Sequence, residues 1–325
     1  MKLILELSGE HPELPREEIA ATLPILDYRT QVVVTESVDP TIPERFAYTH
    51  VIMKFIGECQ ATRDAFIQMM RDFAITCDLP FCGRVKKMAD HGMDAPSAEL
   101  ERLIGYYVSG KVSVSSPGTI FRMVIAGGRC YLGEVLWELD RSPYHERKPG
   151  NRPYFHPGVM MPRMIRSLIN ISGATPGETV LDPFCGTGGT LIETDLIGCN
   201  ALGTDADPFM IQGCRLNLDA AMAAVADAGT LPFPDASIDH VVSDLPYGQS
   251  VLIIGGGIEE LYRQALSEIR RVVKPGKKSV IVTHRDISAL AGTYFTITAQ
   301  YEQRVHKSLT RRILVVIGDG TGVLK

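Results

Sequence analysis

The stretch TVLDPFCGTGGTLIET, residues 179–194, constrains the chain most. A short β-type run ends on Asp182, a turn carries Gly186, Gly188 and Gly189, and a helical pattern then opens. Glycines suit a backbone that must turn sharply and let a ligand come close. In doubly wound sheets that approach happens in the crevice at the carboxyl ends of the strands. The surroundings agree, because from Gly158 onward β-type and helix-type segments alternate. Strands are expected over 179–181, 201–204, 238–243 and 279–283, and helices over 159–171, 189–197, 208–218 and 258–272. Such alternation implies an α/β unit with a mostly parallel sheet covered on both faces. Two closing strands, 294–301 and 312–317, have no helix between them and predict an antiparallel end to that sheet.

A dinucleotide-binding loop would need G-x-G-x-x-G, but counting from Gly186 the sixth position is Leu191. The form D-P-F-C-G-T-G instead suits a methyl donor, whose amino acid moiety meets the loop where a dinucleotide would place its pyrophosphate. S-adenosylmethionine is therefore the expected cofactor. The second strand ends GTDAD, which places Asp205 where a carboxylate accepts from a ribose diol. Cofactor contacts are expected at Asp182, Cys185, Gly186, Gly188, Asp205 and Ala206, and at Asp227 with Ala228 in VADAGTLPFPD. Asp227 has a competing reading as a loop acid that caps a turn.

The run HVVSDLPYGQS sets Asp244, Leu245, Pro246 and Tyr247 directly after a buried-type strand. An exocyclic base amine is a poor nucleophile, since its lone pair is delocalised into the ring. If a carboxylate and a carbonyl oxygen each accept one N–H, the nitrogen can pyramidalise toward a methyl group. Asp244 supplies the carboxylate in this reading, and the Leu245 carbonyl is the second acceptor. Pro246 stiffens the turn, and Tyr247 offers a face on which a base taken out of its stack can rest. The glycines Gly255–Gly257 then suit either a lid or a plain connection.

The first 140 residues mix strands (3–7, 31–35, 46–55) with helices (16–23, 62–75), an α+β pattern. In 97–109, Leu100, Leu103, Ile104, Tyr107 and Val108 form one helical stripe. Segments 120–125 and 131–139 predict a hairpin across Gly127-Gly128. The proline-rich stretch 141–157 reads as a linker, with Tyr154 and Phe155 as apolar plugs. Within 141–166, six cations (Arg141, Arg147, Lys148, Arg152, Arg163, Arg166) face one acid, Glu146. Arg84, Lys86 and Lys87 form a second cluster on an expected strand, and Arg304, Lys307, Arg311 and Arg312 a third. The net charge of −5 argues against wholesale nucleic-acid affinity, so any RNA contact must be local. Phosphate contacts are expected at Arg84, Lys86, Lys87, Arg147, Lys148 and Arg152. The seven cysteines show no CxxC pair or zinc spacing, and no apolar run reaches the length of a membrane span. A cytoplasmic protein without a metal is the expectation.

Together RPYFHPGVMMPRMIRSLINIS, VLDPFCGTGGTLIE, GTDADPFMIQGCRLNL, VVSDLPYGQS and HKSLTRRILVV resemble archaeal tRNA (guanine-N2)-methyltransferases acting at position 10. The N-terminal half is similar to a THUMP RNA-binding module with a ferredoxin-like companion, through FCGRVKKM, LIGYYV and CYLGEVLWEL. The resemblance implies a ferredoxin-like subdomain at 1–55, a THUMP domain at 56–142, a linker at 143–157 and a Rossmann-like methyltransferase domain at 158–325. It implies tRNA as partner and N2-methylated or N2,N2-dimethylated guanosine as product, and leaves open an accessory activator subunit and a monomeric or dimeric state. The family pattern is D-P-P-Y, and Leu245 departs from it. Adenine-N6 methylation and a non-catalytic RNA-binding role remain as alternatives.

Overall fold

The computed structural model describes every residue except 38–44, 219–221, 249–256, 308 and 319–325. The chain divides into two compact units, Met1–Asp140 and Arg141–Lys325.

The first unit runs β1 (Lys2–Leu7), α1 (Leu14–Ala20), β2 (Ile25–Arg29), β3 (Val32–Glu36), β4 (Thr49–Gln60), α2 (Arg63–Phe73), β5 (Phe81–Lys87), α3 (Ser97–Tyr107), β6 (Thr119–Ala126) and β7 (Arg129–Glu138). All seven strands share one sheet in the order β2-β3-β1-β4-β7-β6-β5. The expected division at 55/56 falls inside β4, which pairs with β1 on one side and β7 on the other. The α3 stripe behaves as its spacing predicts, with Leu100, Ile104 and Val108 buried in a core with Phe81, Phe121 and Met123. The β6–β7 hairpin turns through Gly127 (φ 54°) and Gly128 (φ 72°), the left-handed pair that a two-residue turn requires. Strand β2, ILDYR, is an edge strand that buries none of its residues, so its sequence carries no core-facing alternation.

The second unit opens with α4 (Ser142–Glu146), a 3-10 turn (Pro149–Asn151) and α5 (Pro162–Ser172). It continues β8 (Thr179–Asp182), α6 (Gly189–Asp195), β9 (Asn200–Asp205), α7 (Pro208–Asn217), β10 (Met222–Val225), β11 (His240–Asp244), α8 (Ile258–Val272), β12 (Lys278–Thr283), α9 (Ser288–Ala291), β13 (Thr296–His306) and β14 (Leu309–Ile317). The sheet order is β10-β9-β8-β11-β12-β14-β13. The first five strands are parallel, while β14 runs antiparallel to both β12 and β13. This is the Rossmann-like architecture, with the antiparallel close that the unbroken final strands predicted. Helix α8 buries Tyr262, Leu266, Ile269 and Val272 against Val241, Ile281 and Leu314. Glu259 and Glu260 in its first turn and Arg270 and Arg271 in its last complement the helix dipole.

Residues 141–157 do not form a free linker. Arg147 bonds the fully buried Glu193 of α6 at 2.8 Å, and Arg166 of α5 reaches the same carboxylate at 2.9 Å. Asn217, closing α7, accepts from the Tyr154 N–H and donates to its carbonyl, both at 2.9 Å. Gly213 lets the Tyr154 ring lie on α7, because a Cβ there would sit 2.1 Å from the ring. Tyr154 is thus a plug, whereas Phe155 is 51% exposed and is not. No helix among the described residues is long and apolar enough to cross a membrane.

Candidate active site

Parallel pairing brings three acids to one edge. Asp182, Asp205 and Asp244 end the strands β8, β9 and β11, which lie side by side. Asp182 is buried and accepts from the Ser243 hydroxyl at 2.6 Å and the Phe184 N–H at 3.1 Å. Burial pushes its carboxyl up to about 6, against the pull of the donors Ser243, Thr190 and Phe184 and with the Asp205 charge adding to the rise. All those donors are neutral, so this acid is short of positive charge.

The loop after β8 is shaped by backbone needs. Gly186 (φ 50°) and Gly188 (φ 85°) occupy left-handed conformations that favour glycine. At Gly188 a Cβ would also stand 2.7 Å from Cys214 Sγ. Asp205 fixes the turn by accepting from the Gly186 N–H and the Asp207 N–H, each at 2.9 Å. Burial raises the Asp205 carboxyl above its ordinary range. A carboxylate offers about four acceptor positions, so two remain for a diol. Cys185 is buried and holds the loop through its N–H to the Thr204 carbonyl at 2.9 Å, with its thiol among Cys214, Leu191 and Ile211. Ala206 lies exposed beside Asp205, and Ala228 is buried beside Asp227. Asp227 is exposed and caps its own turn, accepting from the Gly229 N–H at 2.8 Å, as the competing reading has it. S-adenosylmethionine carries an ammonium, a sulfonium and a ribose diol. Unneutralised carboxylates beside an open glycine turn fit such a ligand, and a Cβ built on Gly186 meets nothing within 4 Å.

Asp244 is the last residue of β11, and the loop that carries Leu245, Pro246 and Tyr247 follows it. Burial pushes its carboxyl up to about 6, countered by Arg311 and by the Tyr247 hydroxyl. That hydroxyl donates to Asp244 Oδ1 at 2.8 Å, leaving Oδ2 with Arg311 Nε at 3.6 Å. The Leu245 side chain is buried in the α8 core. Its N–H donates to the Val282 carbonyl at 2.8 Å, a bond that the usual proline could not make. Leucine therefore stiffens the loop by one more rung between β11 and β12. Pro246 is anchored through its carbonyl, which accepts from the Tyr262 hydroxyl at 2.6 Å. The Tyr247 ring packs 4.6 Å from the His284 ring at 44°. Gly257 (φ 83°) caps α8, while Gly255 and Gly256 lie outside the described residues.

Sequence reasoning missed four contributors: Ser243, Asn217, His284 and Arg311. Asn217 also donates to the Thr187 carbonyl at 2.9 Å, clamping the segment around Tyr154 to the cofactor loop. Arg311 had a signal: along β14 it falls in phase with the buried Ile313 and Val315, so period two turns it inward.

The basic clusters are split by the fold. Arg147 and Arg152 turn inward, Arg147 to Glu193 and Arg152 to the Arg147 carbonyl at 3.0 Å. Lys148 is half-buried. On β5, Lys86 is exposed, Arg84 leans on the carbonyls of Gly83 and Val114, and Lys87 Nζ holds those of Met93 and Ala95. In the third cluster Arg304 and Lys307 are exposed, and Arg312 pairs with Glu302 at 2.9 Å.

Residues 149–313 match the RMKL-like methyltransferase domain family. Over 97% of its length the chain is 32% identical to a tRNA (guanine(10)-N2)-dimethyltransferase of Methanothermobacter thermautotrophicus, covering 99% of that protein. It is 29% identical to the Methanocaldococcus jannaschii protein so described, with 95% and 97% of the two chains covered. Among solved structures, TrmN from Thermus thermophilus is similar in fold at a TM-score of 0.52 and 19% identity, with 98% and 100% of the chains covered. With a near full-length relative at this identity and a matching catalytic domain, the chain belongs to the tRNA (guanine(10)-N2)-dimethyltransferase family.

Proposed function

We propose that this protein transfers methyl groups from S-adenosylmethionine to the exocyclic N2 of a guanosine in tRNA, at position 10 as in the relatives' description. The observation that carries the reading is the Asp244 carboxylate at a strand tip, beside the Tyr247 ring and one strand from Asp182. When bound, the cofactor supplies a methyl group on a cationic sulfur. The chain's residues prepare the amine. Asp244 Oδ2 accepts one N–H and the Leu245 carbonyl the other, so the lone pair localises on nitrogen. Tyr247 stacks on the flipped base. The N–H proton that methylation of the amine would release would pass to Asp244 and on to water. Placement of the two reacting atoms contributes much of the rate.

The first unit, in this reading, is the THUMP module with its ferredoxin-like companion and engages the tRNA. Lys86, Arg84, Arg304 and Lys307 support phosphate contact by their exposure or edge position, and such contacts position RNA without specifying sequence. Arg147 supports it less, because Glu193 already neutralises it. The test is incubation of unmodified tRNA transcripts with labelled cofactor, followed by nucleoside mass spectrometry. N2-methylguanosine or N2,N2-dimethylguanosine is expected with wild type and neither with Asp244→Ala. Methylated adenosine would overturn the base assignment.

A further inference from the structure

Arg311 carries a charge in a place where a surface arginine would not put one. It lies on β14, is 6% exposed, and points at the loop after β11. Its Nε donates to the Tyr247 hydroxyl at 3.2 Å and stands 3.6 Å from Asp244 Oδ2. Its Nη2 donates to the Gly158 carbonyl at 3.1 Å. The Tyr247 hydroxyl donates onward to Asp244 Oδ1 at 2.8 Å, so guanidinium, phenol and carboxylate form one chain. A buried guanidinium is costly unless it is paired. Of its three partners only Asp244 is an anion.

We propose that Arg311 is a positioning residue of the methyl-transfer site: it holds Asp244 in the ionised, acceptor-only form and sets the Tyr247 ring for the base. The inference rests on the functional reading above and deepens it. An ionised carboxylate only accepts, whereas a protonated one turns a donor toward an amine that is itself a donor. The other groups facing this carboxylate cannot supply the charge. Tyr247 and Tyr262 are phenols whose protons burial holds more tightly than usual. His284, against the Tyr247 ring, is pushed toward its neutral form by burial and by Arg285. Burial alone drives Asp244 toward protonation, and Arg311 is the principal opposing group. The antiparallel strand β14 thus does more than close the sheet. The fork geometry of the guanidinium also meets Tyr247 and Gly158 at once, which a lysine could not reproduce.

The experiment separates charge from geometry with R311M and R311K in the full chain. The Asp244 carboxyl is titrated by carbon-13 NMR of aspartate-labelled protein without RNA, its signal assigned by D244N. Methyl transfer to a tRNA transcript is followed in single turnovers from pH 5.5 to 9. In R311M the carboxyl midpoint should rise by about one unit or more, a tenfold change in proton affinity. Its transfer rate near pH 6.5 should fall by about threefold or more and recover in part at high pH, while cofactor affinity stays within about twofold. R311K should keep the midpoint and lose rate at every pH. R311Q replaces R311M if the latter melts below assay temperature. An unchanged carboxyl midpoint in the neutral variants overturns the inference. Absence of methyl transfer by wild type overturns the functional reading instead, and the titration still decides the role of Arg311.

Discussion

The Ser243 hydroxyl donates to Asp182 Oδ1 across 2.6 Å, joining the strand that ends on the candidate cofactor acid to the strand that ends on the candidate catalytic acid. Ser243 directly precedes Asp244, so this bond sets the position from which the loop departs. Tension between burial and charge follows at both acids, and several consequences can be measured.

Asp182 should make stability depend on pH. Its carboxyl is lifted by burial to about 6 from an ordinary value of 3.8. A folded-state pKa above the unfolded one favours folding while the group is protonated, and that contribution is lost as pH rises from about 4 through 6. At about 1.4 kcal/mol per unit the loss is at most about 3 kcal/mol. Asp182→Asn keeps an acceptor for Ser243 and Phe184. Urea unfolding at pH 5 and 8 should show a smaller pH dependence and higher stability at pH 8 in that variant. Calorimetry should show weaker binding of S-adenosylmethionine.

Methyl transfer should fail on the acid side. Burial holds the Asp244 carboxyl near 6, and the amine needs its ionised form. The single-turnover rate should therefore drop tenfold per unit below about pH 6. Asp244→Asn should lower the plateau by about 10²–10⁴-fold, with cofactor affinity nearly unchanged.

Leu245→Pro, which restores the family pattern, should destabilise this protein. Proline removes the N–H that bonds the Val282 carbonyl at 2.8 Å and replaces a side chain that is 1% exposed. Lost packing and a lost bond together amount to about 2–4 kcal/mol. Thermal melting with and without cofactor measures it, and an unchanged melting temperature would show that the rung is immaterial.

Two substitutions at Tyr247 should part its ring from its hydroxyl. Tyr247→Ala should weaken transition-state binding by about 1–3 kcal/mol through lost base stacking. Tyr247→Phe keeps the stack and removes the 2.8 Å bond to Asp244, so its rate should fall less. Comparison of kcat and KM on one transcript decides between them.

What was legible in the sequence were the features written in local periodicity and turn chemistry. The strand–glycine–helix passage around Asp182, the stripe of α3, the bounds of α8 and the antiparallel close all follow from period-two or period-3.6 patterns. Strands β2 and β10 escaped because edge strands need little burial and so carry little alternation. The stretch 141–157 misled for a related reason. Prolines and charges look like a linker, and nothing nearby in the chain announces that Glu193 and Asn217 will hold it.

The sequence by itself determined the α/β class, the glycine turn after β8 and the acids at the strand ends, because each depends on residues within a few positions of one another. Only the tertiary structure decided which charges stay exposed and which are buried as ion pairs. It alone set Ser243 against Asp182 and Arg311 against Asp244, contacts between residues 61 apart in the first case. Strand order creates those meetings. Burial then sets how much each charge matters, since a carboxylate in a protein interior answers to its immediate neighbours far more than one in water.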